Sequence, residues 1–522
     1  MRALTSAIAA LSLILLMAAS KNGSYRKITR AELRDRIEGG WAGQMIGVSF
    51  GAPTEFRYNQ QIIAPQQLPV WKPDMVSNSL QQDDLYVDMT FAKVLDDKGL
   101  NASTEDFGAM LREAKYRLWH ANLAARRALK RGVSAKLSGT PQYNAHANDI
   151  DFQIESDFIG LMAPGLPQAG NDLCLRAGRV MNTGDGIIGG MFISGMYSAA
   201  FFEKDPRNVV EAGLAAMPPA SPYAKVIRDV LNWSAQYPDD WIRVWKLINE
   251  KWDKREPCPE GALRPFNIDA KLNGAYVALG LLYGKGDFSR TLEVSTRSGQ
   301  DSDCNPANAA GILGVMLGYK AIPSKWKDGI PAIADQKFSY TDFTFRTIVE
   351  STEKRALALI RARGGREEAN SILVAVEPPK PTPVALWDDY GSPVERIEAV
   401  DSRWQWKGSW KETVQERRKD RRVMKIASEP GAEATVSFEG TGAIVSGTYL
   451  PNGGTAAVYL DGKLHKTVDV VSDEKESRIG ESVWHAFGLR NSKHTVRLVV
   501  SGKPGPGSTG SDVSIEDLIV FR

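Results

Sequence analysis

Two residue types that build compact metal and disulfide scaffolds are scarce: 522 residues include three cysteines and five histidines. Cys174, Cys258 and Cys304 show no spacing framework and allow at most one disulfide. His120 and His146 are the only histidines before residue 377, so a His-rich zinc site and a His-activated nucleophile have little support. A dominant charge sign is lacking as well. The net charge is +3 on a mixed-sign chain with no basic stripe interleaved with aromatics, which argues against a nucleic-acid partner. The charged run 411–425 is interrupted by acids and reads as a solvated face. One long apolar run, residues 4–19, follows Arg2 and ends at Ala18-Ala19-Ser20 before Lys21. That run is short for a membrane span and reads as an export signal, residues 1–20, cleaved before Lys21. No cysteine follows it closely, so a lipid anchor is not expected. The expectation is a periplasmic or secreted protein with no stable membrane insertion.

The length exceeds one ordinary core and predicts more than one domain. Helical periodicity dominates residues 104–132, 208–215, 223–237, 241–252, 275–283 and 345–363, with little strand alternation, so a mainly α domain is expected over 21–376. Residues 377–387 open as Glu377-Pro378-Pro379-Lys380-Pro381-Thr382-Pro383, a stiff Pro-rich linker that predicts separate folding of the parts it joins. Beyond it the pattern has period two: 434–438, 443–449, 456–463, 495–500 and 513–521, with Asn452-Gly453 and Asp461-Gly462 turns. An all-β sandwich, jelly-roll-like, is expected over 388–522. Trp404, Trp406 and Trp410 could stack on a sugar, fill the sandwich core or seal a domain boundary.

The strongest chemical signal is Gly299-Gln300-Asp301-Ser302-Asp303-Cys304-Asn305-Pro306. Two carboxylates at i, i+2 precede a natural N-cap, Asn305, and a proline suited to the first helical position. Hard cations such as Mg²⁺ favour an oxygen-rich corner of that kind. Gly311, Gly314 and Gly318 recur at helical spacing, so one face of the following helix can approach a neighbour closely. Upstream, Gln82-Asp83-Asp84-Leu85 starts an apolar helix that also carries Asp88, one turn after Asp84. These acids either meet a cation or sit exposed at a favourable helix N-terminus. Residues 37–56 form a small-residue helix ending in Gly51-Ala52-Pro53, a turn that presents Glu55.

A third stretch, Asp149-Ile150-Asp151-Phe152-Gln153-Ile154-Glu155-Ser156-Asp157, sets four acids among apolar residues before a Gly/Pro turn and reads as a pocket wall. Asp185, in Thr183-Gly184-Asp185-Gly186, is either a substrate contact or a turn aspartate.

In order and character, the Glu55 helix, the Asp83-Asp84 pair and the Asp301/Asp303 loop resemble the ADP-ribosylglycohydrolase family across roughly residues 30–360. The β region, Val458-Tyr459-Leu460-Asp461-Gly462-Lys463 above all, resembles galactose-binding-like modules of secreted glycosidases. The family resemblance implies a helical catalytic domain and hydrolysis at an anomeric carbon. It implies one or two Mg²⁺ or Mn²⁺ ions held by Asp83, Asp84, Asp301 and Asp303, with Glu55, Asp84 and Asp301 catalytic. Substrate contacts would come from Asp149, Asp151, Glu155, Asp157 and Asp185. Val48, Gln82, Leu85 and Cys304 depart from the family pattern, and Cys304 would be a soft ligand in a hard site. Acids in the pocket wall repel phosphate. Together with export, that favours a sugar or glycan over an ADP-ribosyl substrate. The alternative is a catalytically impaired member that binds glycans.

Overall fold

The computed structural model describes residues 24–253, 256–417 and 420–522, and side chains outside 415–420. The export-signal segment, residues 1–20, lies outside the described residues. A helical unit is followed by antiparallel β-sheets. Among the described residues no helix is long and apolar enough to cross a membrane.

The first helix, Arg30–Gly51, starts at a capping box: the Thr29 hydroxyl accepts from Glu32 N (3.1 Å) and Thr29 N donates to Glu32 Oε2 (2.9 Å). Every residue from Gly39 to Gly51 is buried. Four glycines at four-residue spacing, Gly39, Gly43, Gly47 and Gly51, form one bare stripe that lies antiparallel to the helix Cys304–Leu317 and the loop before it. A Cβ at these glycines would strike the carbonyl oxygens of Gly314, Ala310, Pro306 and Ser302 respectively. Backbone therefore packs on backbone, and the loop bearing Asp301 and Asp303 is held against the end of the first helix. Gly311 and Gly314 share this seam as expected, whereas Gly318 ends its helix at φ 81°.

The helices Asp185–Ala200 and Ala270–Gly284 are almost wholly buried and fill the centre of the unit. The pattern over 104–132 splits into Thr104–Glu113 and His120–Lys130. The break is stabilised by Arg126, whose guanidinium donates to Ala114 O (3.2 Å) and Tyr116 O (2.8 Å). At the edge of the unit, strand Tyr25–Ile28 pairs antiparallel with Ser371–Ala375.

The β region has a five-stranded sheet containing Gly454–Leu460, Ser492–Pro504 and Glu433–Gly440. Facing it is a four-stranded sheet ordered Arg478–Ala486, Gly442–Tyr449, Asp517–Phe521, Pro393–Glu398. Their shared core includes Val436, Val445, Val458, Leu498, Leu518 and Trp484. Trp404 belongs to that core, its indole donating to Ile397 O (3.2 Å), with Trp406 stacked on it at 5.2 Å. Of the three roles open to the tryptophans, Trp404 therefore takes the core role.

Gly442–Tyr449 and Asp517–Phe521 are buried along their whole length, on both faces. One face meets the sandwich core. On the other, Ile444, Ile519 and Phe521 pack with Ala145, Ala147 and Ala262 of the helical unit. Ion pairs frame this contact: Arg127 reaches Asp469 (3.0 Å) and Asp473 (3.4 Å), and Arg396 reaches Asp517 (2.7 Å) and Pro259 O (2.6 Å). The Pro-rich segment is also tied down, with Gln168 N donating to Glu377 (2.8 Å) and Gly184 N to Ala385 O (3.1 Å). The segment expected as a stiff linker thus lies against the helical unit, and apolar side chains of both parts pack at the seam.

Candidate active site

The loop before Cys304 turns through two consecutive left-handed residues, Gly299 (φ 75°) and Gln300 (φ 60°). The strain at Gln300 is offset by bonds at both ends: its N–H donates to Tyr58 O (3.2 Å) and its amide oxygen accepts from Gln60 N (3.2 Å). Asn273 Oδ1 accepts from Asp301 N (3.3 Å) and from Asn305 Nδ2 (2.8 Å). The cap position is Asp303 rather than the expected Asn305, whose amide is engaged by Asn273. Pro306 falls inside the first turn, where its missing N–H costs no helical bond.

This loop brings its acids to those of the other two motifs. Ligand atoms of Glu55, Asp301 and Asp303 lie within 4.8 Å of one another, as do those of Asp84, Asp303 and Cys304. Asp303 belongs to both groups and makes them one cluster. Asp83, partly open, starts the helix Asp83–Lys98 beside Asp84. The Thr54 and Ser302 hydroxyls join at 2.8 Å and hold the Glu55 turn to the Asp301 loop. Of the two readings of the Asp83/Asp84 helix start, the exposed one does not apply to Asp84, which is buried.

The electrostatics are unfavourable without a cation. Burial first, then Asp83 and Asp301, pushes the Asp84 carboxyl well above its usual range. Burial and then Glu55, Asp301 and Asp84 do the same to Asp303. Asp301 rises to about 6, chiefly through burial. Asp84 Oδ1 and Asp301 Oδ1 are buried without a hydrogen-bond partner. Carboxylates that repel one another, form two close groups sharing Asp303 and leave buried oxygens unpartnered fit a hard divalent cation. Burial, Asp301 and Asp303 push the Cys304 thiol well up, and its Sγ lies 3.5 Å from Asp84 Oδ2, so it acts as a neutral donor.

The remaining acids take distinct places. Asp88 Oδ2 accepts from Gln44 (3.3 Å) and Phe158 N (3.2 Å), and Asp157 accepts from Asn308 (2.8 Å); both stand behind the cluster. Asp151 accepts from Asn122 N (2.9 Å) and Glu155 from the Asn122 side chain. Asp149 faces His120 and His146. Asp185 lies 3.6 Å from Lys271 Nζ, and its N–H donates to Asn148 (2.8 Å). The four acids of residues 149–157 thus do not share one wall.

Sequence reasoning missed a cleft of about 390 Å³ lined by Gln60, Asp253, Glu256, Phe266 and Asp269, among others. Gln60, bonded to Gln300, joins it to the acidic cluster. Behind it Lys271 is buried among Asp269 (2.6 Å), Glu256 (3.4 Å) and Asp185 (3.6 Å). The available signal was a lone lysine at the start of the apolar helix Ala270–Gly284.

Comparison with known proteins places these features. The family model described as ADP-ribosylglycohydrolase matches residues 29–364. A protein of Flavonifractor plautii named A type blood alpha-D-galactosamine galactosaminidase is 31% identical over 105 residues, 20% of this chain and 9% of that relative. The chain therefore spans under a tenth of that relative's length. A solved structure titled ADP-ribosylglycohydrolase-related protein complex is similar at 17% identity and a TM-score of 0.39, over 63% of this chain and 99% of that one. A CBM36-1 domain of a multidomain xylanase from the hindgut metagenome of Trinervitermes trinervoides is similar at 12% identity and a TM-score of 0.17, over 24% of this chain and 94% of that one.

Proposed function

This chain belongs to the ADP-ribosylglycohydrolase family, and from that premise we propose that it is an exported hydrolase of a glycosidic bond, assisted by one or two Mg²⁺ or Mn²⁺ ions. The observation that carries the reading is the convergence of Glu55, Asp84, Asp301 and Asp303 with unpartnered oxygens on Asp84 and Asp301. Asp83, Asp84, Asp301 and Asp303 would hold the cation. When bound, it supplies charge compensation and Lewis acidity toward sugar hydroxyls and water. Glu55 orients the attacking water and accepts its proton. The surrounding carboxylates stabilise positive charge as the sugar ring becomes oxocarbenium-like.

The preferred substrate class is a neutral glycoside or glycan rather than an ADP-ribosyl group. Lys271 is already matched by Asp185, Glu256 and Asp269, and Arg264 of the cleft lining by Glu398 and Asp517, so with Asp253 also in the lining a diphosphate would find no unmatched cation among these groups. Asp185, which lines a cavity with Lys271, is the acid best placed for a sugar contact, whereas Asp149, Asp151, Glu155 and Asp157 are buried and engaged within the fold. The β region would extend the glycan-binding surface. The competing reading, a glycan binder without turnover, draws on Cys304 at a ligand position.

A turnover screen tests this. Protein stripped with chelator is assayed with and without Mg²⁺ and Mn²⁺ against aryl furanosides, pyranosides including galactosaminides, and ADP-ribosyl peptides. Metal-restored cleavage of a glycoside supports the reading. Glycan binding with no turnover at any metal concentration contradicts it.

A further inference from the structure

Outside the Glu55/Asp84/Asp301/Asp303 cluster, four titratable side chains run in a line from the β-sandwich toward Phe266 of the cleft lining, and three of them, His120, His146 and Asp149, also form a group close enough to hold a metal ion. Glu481, on the strand Arg478–Ala486, lies 3.5 Å from His146 Nε2. His146 Nδ1 is 2.9 Å from Asp149 Oδ2, and the same oxygen is 3.4 Å from His120 Nδ1. Glu481, His146 and Asp149 are buried, while the His120 side chain keeps 21% of its surface. His120 packs edge-on against His146 at 5.3 Å and against Phe266, a cleft residue, at 5.9 Å. Its backbone is left-handed, φ 43°, at the start of the helix His120–Lys130, where Trp119 offers no side-chain cap.

We propose that His120 is the general acid for the departing group, positioned by Asp149, His146 and Glu481, so that the β-sandwich supplies part of the active site. The inference rests on the glycosidase reading above. Charge supports it. His146 has a carboxylate near each ring nitrogen, which raises its pKa well above the ordinary imidazole value against the effect of burial. The charged groups that act on His120 are Asp149, Asp151, Asp301, Glu260 and Glu481 on the acidic side and His146 on the basic side. Burial disfavours its protonation, and the Asp149 carboxylate 3.4 Å from Nδ1 outweighs that, so its pKa is raised.

With Nδ1 turned to Asp149, Nε2 is the nitrogen left to exchange a proton with a ligand. The bond from the anomeric carbon to the leaving oxygen breaks with its electron pair on oxygen. That oxygen takes the proton from His120 Nε2 and departs as a neutral alcohol. Water adds to the anomeric carbon, a site carboxylate accepts its proton, and solvent returns that proton to His120.

Two measurements on the full chain test this. The first compares wild type, His120→Asn and Glu481→Gln on aryl glycosides of the accepted sugar, from 2,4-dinitrophenyl to phenyl. General acids contribute roughly 10² to 10⁴-fold where the leaving group is poor and little where it is good. His120→Asn is therefore expected to lose at least about 100-fold on phenyl and under about 10-fold on dinitrophenyl glycosides. Glu481→Gln should shift the alkaline limb of the pH profile, where the general acid loses its proton, to lower pH and show the same contrast, smaller in size. Equal loss across the series overturns the acid role. Should His120→Asn fail to fold, the Glu481→Gln profile carries the same contrast. The second measurement, titration of ¹³C-labelled histidines by NMR, needs no substrate. His120 is expected to titrate above the ordinary imidazole value and to fall in Asp149→Asn and Glu481→Gln. An unchanged titration in both overturns the relay. A titration as expected in a protein that cleaves no glycoside leaves the network standing and overturns the acid role together with the glycosidase reading.

Discussion

Cys304 Sγ lies 3.5 Å from Asp84 Oδ2, a contact that joins the starts of two helices 220 residues apart in the chain. The thiol stands where a hard oxygen ligand would serve a divalent cation better. Cys304→Thr is expected to tighten Mg²⁺ or Mn²⁺ binding by up to about tenfold, ~1.4 kcal/mol. Calorimetric titration of the two proteins checks this. Weaker binding or loss of fold in the variant would show that the thiol is needed for packing.

The raised carboxyl pKa values have a definite sign. A carboxylate whose pKa is higher folded than unfolded binds more protons in the folded state, so its contribution is present at low pH and lost as pH rises through the folded value. Asp301, near 6, places that loss between about pH 4 and 6 at the proposed metal site. Metal-free protein should therefore gain more thermal stability from Mg²⁺ at pH 7.5 than at pH 5. Melting curves at both values, with and without metal, test it; equal gains would be inconsistent with a metal neutralising these acids.

The glycine seam makes a structural prediction. Gly43→Ala or Gly47→Ala drives a methyl into the carbonyl of Ala310 or Pro306. Overpacking of this kind costs about 1–3 kcal/mol. Because the partner helix carries Asp303 at its start, metal affinity should fall along with Tm. A Tm loss with unchanged affinity would show that the loop is positioned independently of the seam.

Much of this site was legible locally. Asp83-Asp84 and Asp301-Ser302-Asp303 each sit at a helix start, and the bare glycine faces mark where two helices meet; both signals lie within a few residues. The β region was legible as alternation in Ala434–Phe438 and in 443–449, although the strand Gly442–Tyr449 is buried on both faces. That same burial hid the docking of the sandwich. His120–Asp149–His146–Glu481 and Lys271–Glu256–Asp185 were illegible because each joins segments that only tertiary packing brings together. The break before His120 was hidden too, since it depends on Arg126 reaching back to Ala114 and Tyr116.

The docked sandwich changes what truncation should do. Ending the chain near Glu377 strips the partners of Arg127 and uncovers Ala145, Ala147 and Ala262. The shortened chain is expected to melt lower and aggregate, and to lose activity on small and polymeric substrates alike. Full activity on a small glycoside after truncation would mean that the helical unit alone holds the site.

The most direct test is calorimetry of Mg²⁺ and Mn²⁺ binding to wild type and Asp301→Asn, with circular dichroism confirming the fold of both. Asp301 carries an unpartnered buried oxygen and shares its site with Glu55 and Asp303. Removing its charge should abolish measurable binding while leaving the helical spectrum unchanged. Binding of the same affinity in the folded variant would contradict a metal centre at the junction of the acidic motifs.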